Sequence, residues 1–132
     1  MNLGLAIAGL ICLALAFGHT TIGLVWVLPG LAVERLPSTP FGSPLMTEVM
    51  LRVTWHIVTV FVLAVGTLLM TLAWAAPTDA ETLLLRWLAA MFIAATAMVF
   101  CVARRRPRGL LRLPVWSLWV VIAVLCWLGA AR

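Results

Sequence analysis

Charge is what this chain has least of. Only 10% of its 132 residues are charged, and lysine is absent altogether. A soluble domain carries about 25% charged residues. The acids number four (Glu34, Glu48, Asp79 and Glu81), each near the end of an apolar run and none at the centre of one. This distribution leaves no paired carboxylates for acid–base chemistry and no chain of acids for a proton or ion path. Catalytic signatures are missing as well: there is no G-x-S-x-G, no H-E-x-x-H and no phosphate-cradling glycine loop. The three cysteines, Cys12, Cys101 and Cys126, lie in separate apolar segments and form no C-x-x-C pair. A disulfide framework or a zinc site is therefore not expected, and the three read as small apolar packing residues.

What is abundant is hydrocarbon. Hydrophobic residues make up 65% of the chain, with a mean hydropathy of +1.19. No soluble fold of this length hides that much apolar surface, so lipid must be part of the solvent. Four apolar runs follow one another, predicting helices at about 3–31, 47–76, 83–103 and 115–131. A span needs about 20 residues. The first run continues too far for a signal-peptide core, and it reads as a retained helix. Its Pro29-Gly30 pair marks a place to unwind after Leu28. The segment from Leu36 to Met46 holds three prolines and reads as a loop. Thr47 is a candidate N-cap of the second helix, and Thr78 or Asp79 of the third. Pro114 suits the opening of the fourth. The expected fold class is all-α: one domain, residues 1–132, forming an integral membrane bundle of four transmembrane helices.

Arginine sets the orientation. Arg104, Arg105, Arg106, Arg108 and Arg112 crowd the third loop, whereas Asp79 and Glu81 mark the opposite side. The positive-inside rule then turns both termini outside, with the inner membrane of a bacterium as the expected location. The same five arginines are candidate contacts for anionic lipid headgroups. Without an aromatic stacking platform beside them, a nucleic-acid partner is not expected. Six of the seven tryptophans lie mostly near predicted helix ends, as interfacial anchors do. Trp55 lies deeper.

The only ionisable groups well inside the runs are two histidines. His19 is nine residues from Leu28, and His56 is nine residues from Thr47. At about 1.5 Å per residue both lie roughly 13 Å from the inner helix ends. Consecutive antiparallel helices usually pack together, so the two imidazoles are expected at matching depth. Thr20, Thr21, Arg52 and Thr59 stand beside them as supporting polar groups, and Gly18, Gly23 and Gly66 make room. Three chemistries suit this locus. The imidazoles are candidate axial ligands of a b-type haem. They are also candidate ligands of a metal ion, though two imidazoles alone make a thin site. Or they hydrogen-bond locally and fix helix packing.

Three short motifs carry a resemblance: Gly18-His19 with Gly23, Trp55-His56-x-x-Thr59, and Leu113-Pro114-x-Trp116. With them the chain resembles a family of small, functionally uncharacterised four-helix membrane proteins of bacteria. The resemblance implies the four-span layout and draws attention to the same two histidines; it implies no activity. The expected function is non-enzymatic: an accessory or packing subunit among other membrane protein subunits, within a larger complex, with an energy-transducing one among the candidates. The alternative is an electron-transfer protein holding haem b or a metal between His19 and His56.

Overall fold

A computed structural model describes residues 1–40, 42–76, 78–103 and 115–131. It is all-helical, at 84% helix with no strand among the described residues. Among the described residues four α-helices follow in order, the first three long: α1 (Leu3–Ile22), α2 (Pro44–Leu72), α3 (Asp79–Ala103) and α4 (Val115–Gly129). Three apolar helical stretches, Leu3–Gly30, Pro44–Leu72 and Asp79–Cys101, are long enough to cross a membrane. At 15 residues, α4 extends about 22 Å. Pro114 and the arginines at 104–106, 108 and 112 lie outside the described residues.

Local chemistry explains where the helices begin. Asn2 is buried, and its Oδ1 accepts the Leu5 N–H at 3.1 Å, an N-cap that satisfies one of the helix's free donors. Helix α2 opens at Pro44, three residues before Thr47. Proline suits this first position because its missing N–H would have no helical partner there. Thr47 instead lies inside the first turn, where its hydroxyl donates to the Pro37 carbonyl at 3.0 Å and ties the loop to the helix. A capping box starts α3: Glu81 accepts the Thr78 N–H at 2.9 Å, and Thr78 Oγ1 accepts the Glu81 N–H at 3.2 Å.

The end of α1 is irregular, and Pro29 explains it. Proline supplies no N–H to the carbonyl four residues back, and its ring collides with that carbonyl. The ladder widens into a π turn over Gly23–Val27 and then tightens into a 3-10 turn at Leu28–Gly30. The helical departure therefore starts at Gly23, one turn before the expected unwinding point.

The described residues pack as two compact units, 1–11 with 66–132, and 12–65. In the first, Leu5, Leu69, Leu88, Phe92, Ile122 and Cys126 are buried together with a set of alanines. Helices α3 and α4 pack on each other, and Phe100 meets Trp116 edge-on with ring centres 5.2 Å apart. The start of α1 holds the end of α2: the Asn2 N–H donates to the Ala73 carbonyl at 2.6 Å, one of the acceptors a helix end leaves open. Gly9 lies against Gly66, where an added Cβ would come 3.0 Å from the Gly66 carbonyl oxygen and 2.8 Å from Met70 Cγ. Small residues at such contacts let backbones approach.

In the second unit, the later part of α1, its π and 3-10 turns, the loop and the first part of α2 bury Cys12, Ala16, Gly23, Leu28 and Val65. The loop contains a 3-10 turn, Val33–Arg35, and an isolated bridge between Thr39 and Gly42.

The two α1 glycines give a paired expectation. Gly9→Ala should destabilise by about 1–3 kcal/mol through overpacking against backbone, whereas Gly18→Ala has open space and should be neutral or slightly stabilising. Thermal unfolding of the two variants in detergent checks this, and equal melting temperatures would contradict the close approach at Gly9.

Candidate functional site

Helix α2 turns a polar stripe toward the irregular end of α1. Glu48, Arg52, Trp55 and Thr59 recur at intervals of four, three and four residues, so they share one face. Each stripe residue beyond Glu48 meets a group on α1 or its π and 3-10 turns. Arg52 donates to the Leu28 carbonyl at 3.1 Å, which also accepts the Leu31 N–H at 3.3 Å in the 3-10 turn. A cation suits that end of the helix dipole. Glu48 holds the guanidinium in place through Nε at 2.8 Å and Nη2 at 2.7 Å. In this i, i+4 pair both nitrogens converge on one carboxylate oxygen, Oε1.

Trp55 is the centre of the stripe. Its indole N–H donates to the His19 carbonyl at 3.1 Å, just before the ladder turns to π geometry. Its ring lies flat on the His19 imidazole, with centres 4.1 Å apart and planes 8° from parallel. The indole occupies the space that a side chain at position 23 would need: a Cβ on Gly23 would come 2.6 Å from Cε2. Gly23 is thus glycine because a tryptophan lies over its backbone. One turn on, Thr20 donates to the Thr59 hydroxyl at 3.4 Å, and Thr59 donates to the Trp55 carbonyl at 3.3 Å.

His19 is half-buried, and its Nε2 is shut away from solvent with no hydrogen-bond partner. A buried polar atom without a partner is costly. The stacking contact compensates part of that cost. His56 is one residue beyond Trp55 and therefore about 100° further round the helix. It is exposed and lines an open apolar groove with Val53, Ile57, Val60, Phe61 and Ala64. The aromatic partner of His19 is thus Trp55. Thr21 is exposed too, and its hydroxyl returns to the Phe17 carbonyl of its own helix at 3.0 Å. Of the residues singled out from the sequence, His19, Thr20, Arg52 and Thr59 come together. His56 and Thr21 face elsewhere, and the headgroup arginines lie outside the described residues.

Neither a family model, a curated protein nor a solved structure matches this chain. The site is therefore read from its own chemistry. Among the described residues no group of three or more histidines, cysteines, aspartates or glutamates is placed to hold a metal ion. Glu48, the acid on this stripe, is engaged with Arg52. The stripe as it stands satisfies and rigidifies a broken helix end.

Glu48 and the His19 and Leu28 carbonyls had no prominence in the sequence, and Trp55 stood out only as a deep tryptophan beside His56. The signal was there in the 4-3-4 spacing from Glu48 to Thr59, which passes through Trp55, the residue beside the histidine.

Substitutions separate the parts of this contact. Trp55→Phe keeps a stacking ring and loses the N–H donor, and should lower stability by about 0.5–1.5 kcal/mol. Trp55→Ala removes the ring as well and should cost about 3–5 kcal/mol. Unfolding of both in detergent, followed by circular dichroism, provides the test; a Trp55→Ala protein as stable as the parent would remove Trp55 from the centre of the account.

Proposed function

We propose that the chain is a small, non-enzymatic integral membrane protein that serves as an accessory or packing subunit. The observation that carries this reading is the amount of apolar surface its helices leave uncovered. In the most hydropathic windows of the three long helices only 33%, 17% and 28% of the residues are buried inside the protein. The remaining surface is hydrocarbon of a length suited to a bilayer core of about 30 Å. Trp26, Trp74, Trp87 and Trp127 are each more than half exposed. Large exposed indoles near the ends of apolar helices suit the headgroup level.

In this setting the polar stripe acquires its purpose. Within hydrocarbon no water satisfies a broken helix, and irregular backbone is tolerated only where protein covers it. Arg52 and Trp55 cover the irregular end of α1 and make the α1–α2 pair a rigid element. The orientation follows from the arginine distribution: both termini outside, and the cluster at 104–112 on the cytoplasmic side against anionic headgroups, in a bacterial inner membrane. The resemblance to small bacterial four-helix membrane proteins points the same way. A rigid, membrane-filling chain without a catalytic constellation suits a subunit that packs against other membrane proteins, including an energy-transducing assembly.

A second reading keeps haem b or a metal at His19 and His56. The unpartnered Nε2 of His19 favours a ligand there. Axial coordination by both imidazoles requires His56 to leave its groove and the His19–Trp55 stack to open.

Three measurements decide among these. Alkaline carbonate should leave the chain in the membrane pellet, and release into the supernatant would contradict the membrane reading. A periplasmic-type reporter at the C-terminus should be active and a cytoplasmic one silent; the reverse overturns the orientation. A reduced-minus-oxidised spectrum of the purified protein should be featureless, with a membrane protein of another sequence co-purifying in mild detergent. Sharp haem bands would favour the second reading, and isolation free of any other protein would contradict the subunit role.

A further inference from the structure

We infer that the face of α2 opposite the polar stripe is a docking surface for a second copy of this chain, with His56 at its edge. The inference rests on the membrane reading above and goes beyond the subunit role.

The pattern is in the exposed residues. Met46, Met50, Val53, Ile57, Val60 and Ala64 follow one another at intervals of four and three, and all six are exposed. At about 100° per residue they fall within roughly 80° of arc, on the side of α2 away from Glu48, Arg52, Trp55 and Thr59. Alternation of four and three is the heptad seam, which suits a left-handed pair of helices crossing at about 20°. The middle of the seam is Val53, Ile57 and Val60, β-branched side chains whose χ1 is largely settled by the helix and which lose little freedom on docking. Ala64 provides the small position that lets two backbones draw close.

An apolar face alone needs no protein cover in lipid. His56 is what asks for one. It flanks the seam and lines the same groove as Val53, Ile57, Val60 and Ala64. An imidazole facing hydrocarbon at this depth gains from any partner that satisfies its two ring nitrogens. The chemistry points to its own copy. A neutral imidazole offers one donor and one acceptor, so it is its own complement. Two chains inserted in the same orientation around a twofold axis bring their His56 rings to the same depth automatically, as any isologous contact does. The seam holds no charged side chain, which leaves nothing for a charged partner to read.

Cysteine cross-linking in intact membranes tests this in the full-length chain, with the parent protein as background for its native thiols. Ile57→Cys should form an oxidative cross-link of twice the chain mass at least five-fold above background. Val58→Cys, exposed on another face at nearly the same depth, should stay at background. Adding His56→Ala should lower the Ile57→Cys yield several-fold, and His56→Asn, whose amide also donates and accepts, should restore most of it. Equal yields at positions 57 and 58, or an adduct of another mass from position 57, would overturn the second copy as occupant. A yield indifferent to His56→Ala would overturn the role of the imidazole. Carbonate extraction of the same membranes keeps the two readings apart. A chain retained in the pellet but never cross-linked sinks the dimer alone, whereas a chain washed free sinks the membrane reading on which it rests.

Discussion

A proline cannot donate a backbone hydrogen bond, and in this chain one stands near the end of a long apolar helix. Much of the described arrangement around residues 19–59 follows from that. Pro29 drives the preceding turn into π geometry and the following one into a 3-10 turn. The carbonyl left without its donor is that of Val25, four residues back, and helix α2 braces the chain on either side of it with two donors, an indole N–H to the His19 carbonyl and a guanidinium N–H to the Leu28 carbonyl. Both come from side chains with rigid, planar donors, which lose less freedom when fixed than a flexible ammonium does. Glu48 then fixes the guanidinium, and Gly23 gives the indole its space. Glu48, Arg52, Trp55 and Gly23 together hold the chain on both sides of the break.

The consequence for α2 is a division of labour between its faces. One face is polar and closes on α1; the other is apolar and exposed. The two neighbouring residues Trp55 and His56 fall on different sides of that division although they differ by one position. An aromatic residue with a single N–H suits a place where one carbonyl needs one donor. An imidazole with two unlike nitrogens suits a place where its complement arrives from another chain. The proposed subunit role depends on the first face for rigidity and on the second for contact, and neither requires chemistry to be performed.

Much of this was legible in the residues themselves. Four apolar runs separated by prolines and charges locate the helices, because length and hydropathy are strong signals when nearly every residue agrees. The Pro29-Gly30 pair announced a break, although its reach back to Gly23 follows only from the proline ring acting one turn upstream. Counting residues from the helix ends matches the depth of His19 to Trp55 and His56 alike; only the rotation of about 100° per residue separates them. Spacing alone does not choose between them, because Arg52 and Thr59 stand within one turn of both; burial does, with Trp55 half-buried against His19 and His56 exposed. Carbonyl acceptors have no signature in sequence, since every residue carries one, and so the role of the His19 and Leu28 backbones is visible only in the folded chain.

If the stripe on α2 exists to repair the break made by Pro29, the two must be energetically coupled. A double-mutant cycle of Pro29→Ala with Trp55→Phe, read by reversible unfolding in one detergent, measures this directly. With alanine at position 29 the Val25 carbonyl regains its donor, the turn over Gly23–Val27 is free to return to α geometry, and the seat of the indole over Gly23 shifts. The account predicts that Trp55→Phe costs clearly less in the Pro29→Ala background than in the parent, with a coupling on the order of 0.5–1.5 kcal/mol. Strict additivity of the two substitutions would contradict it.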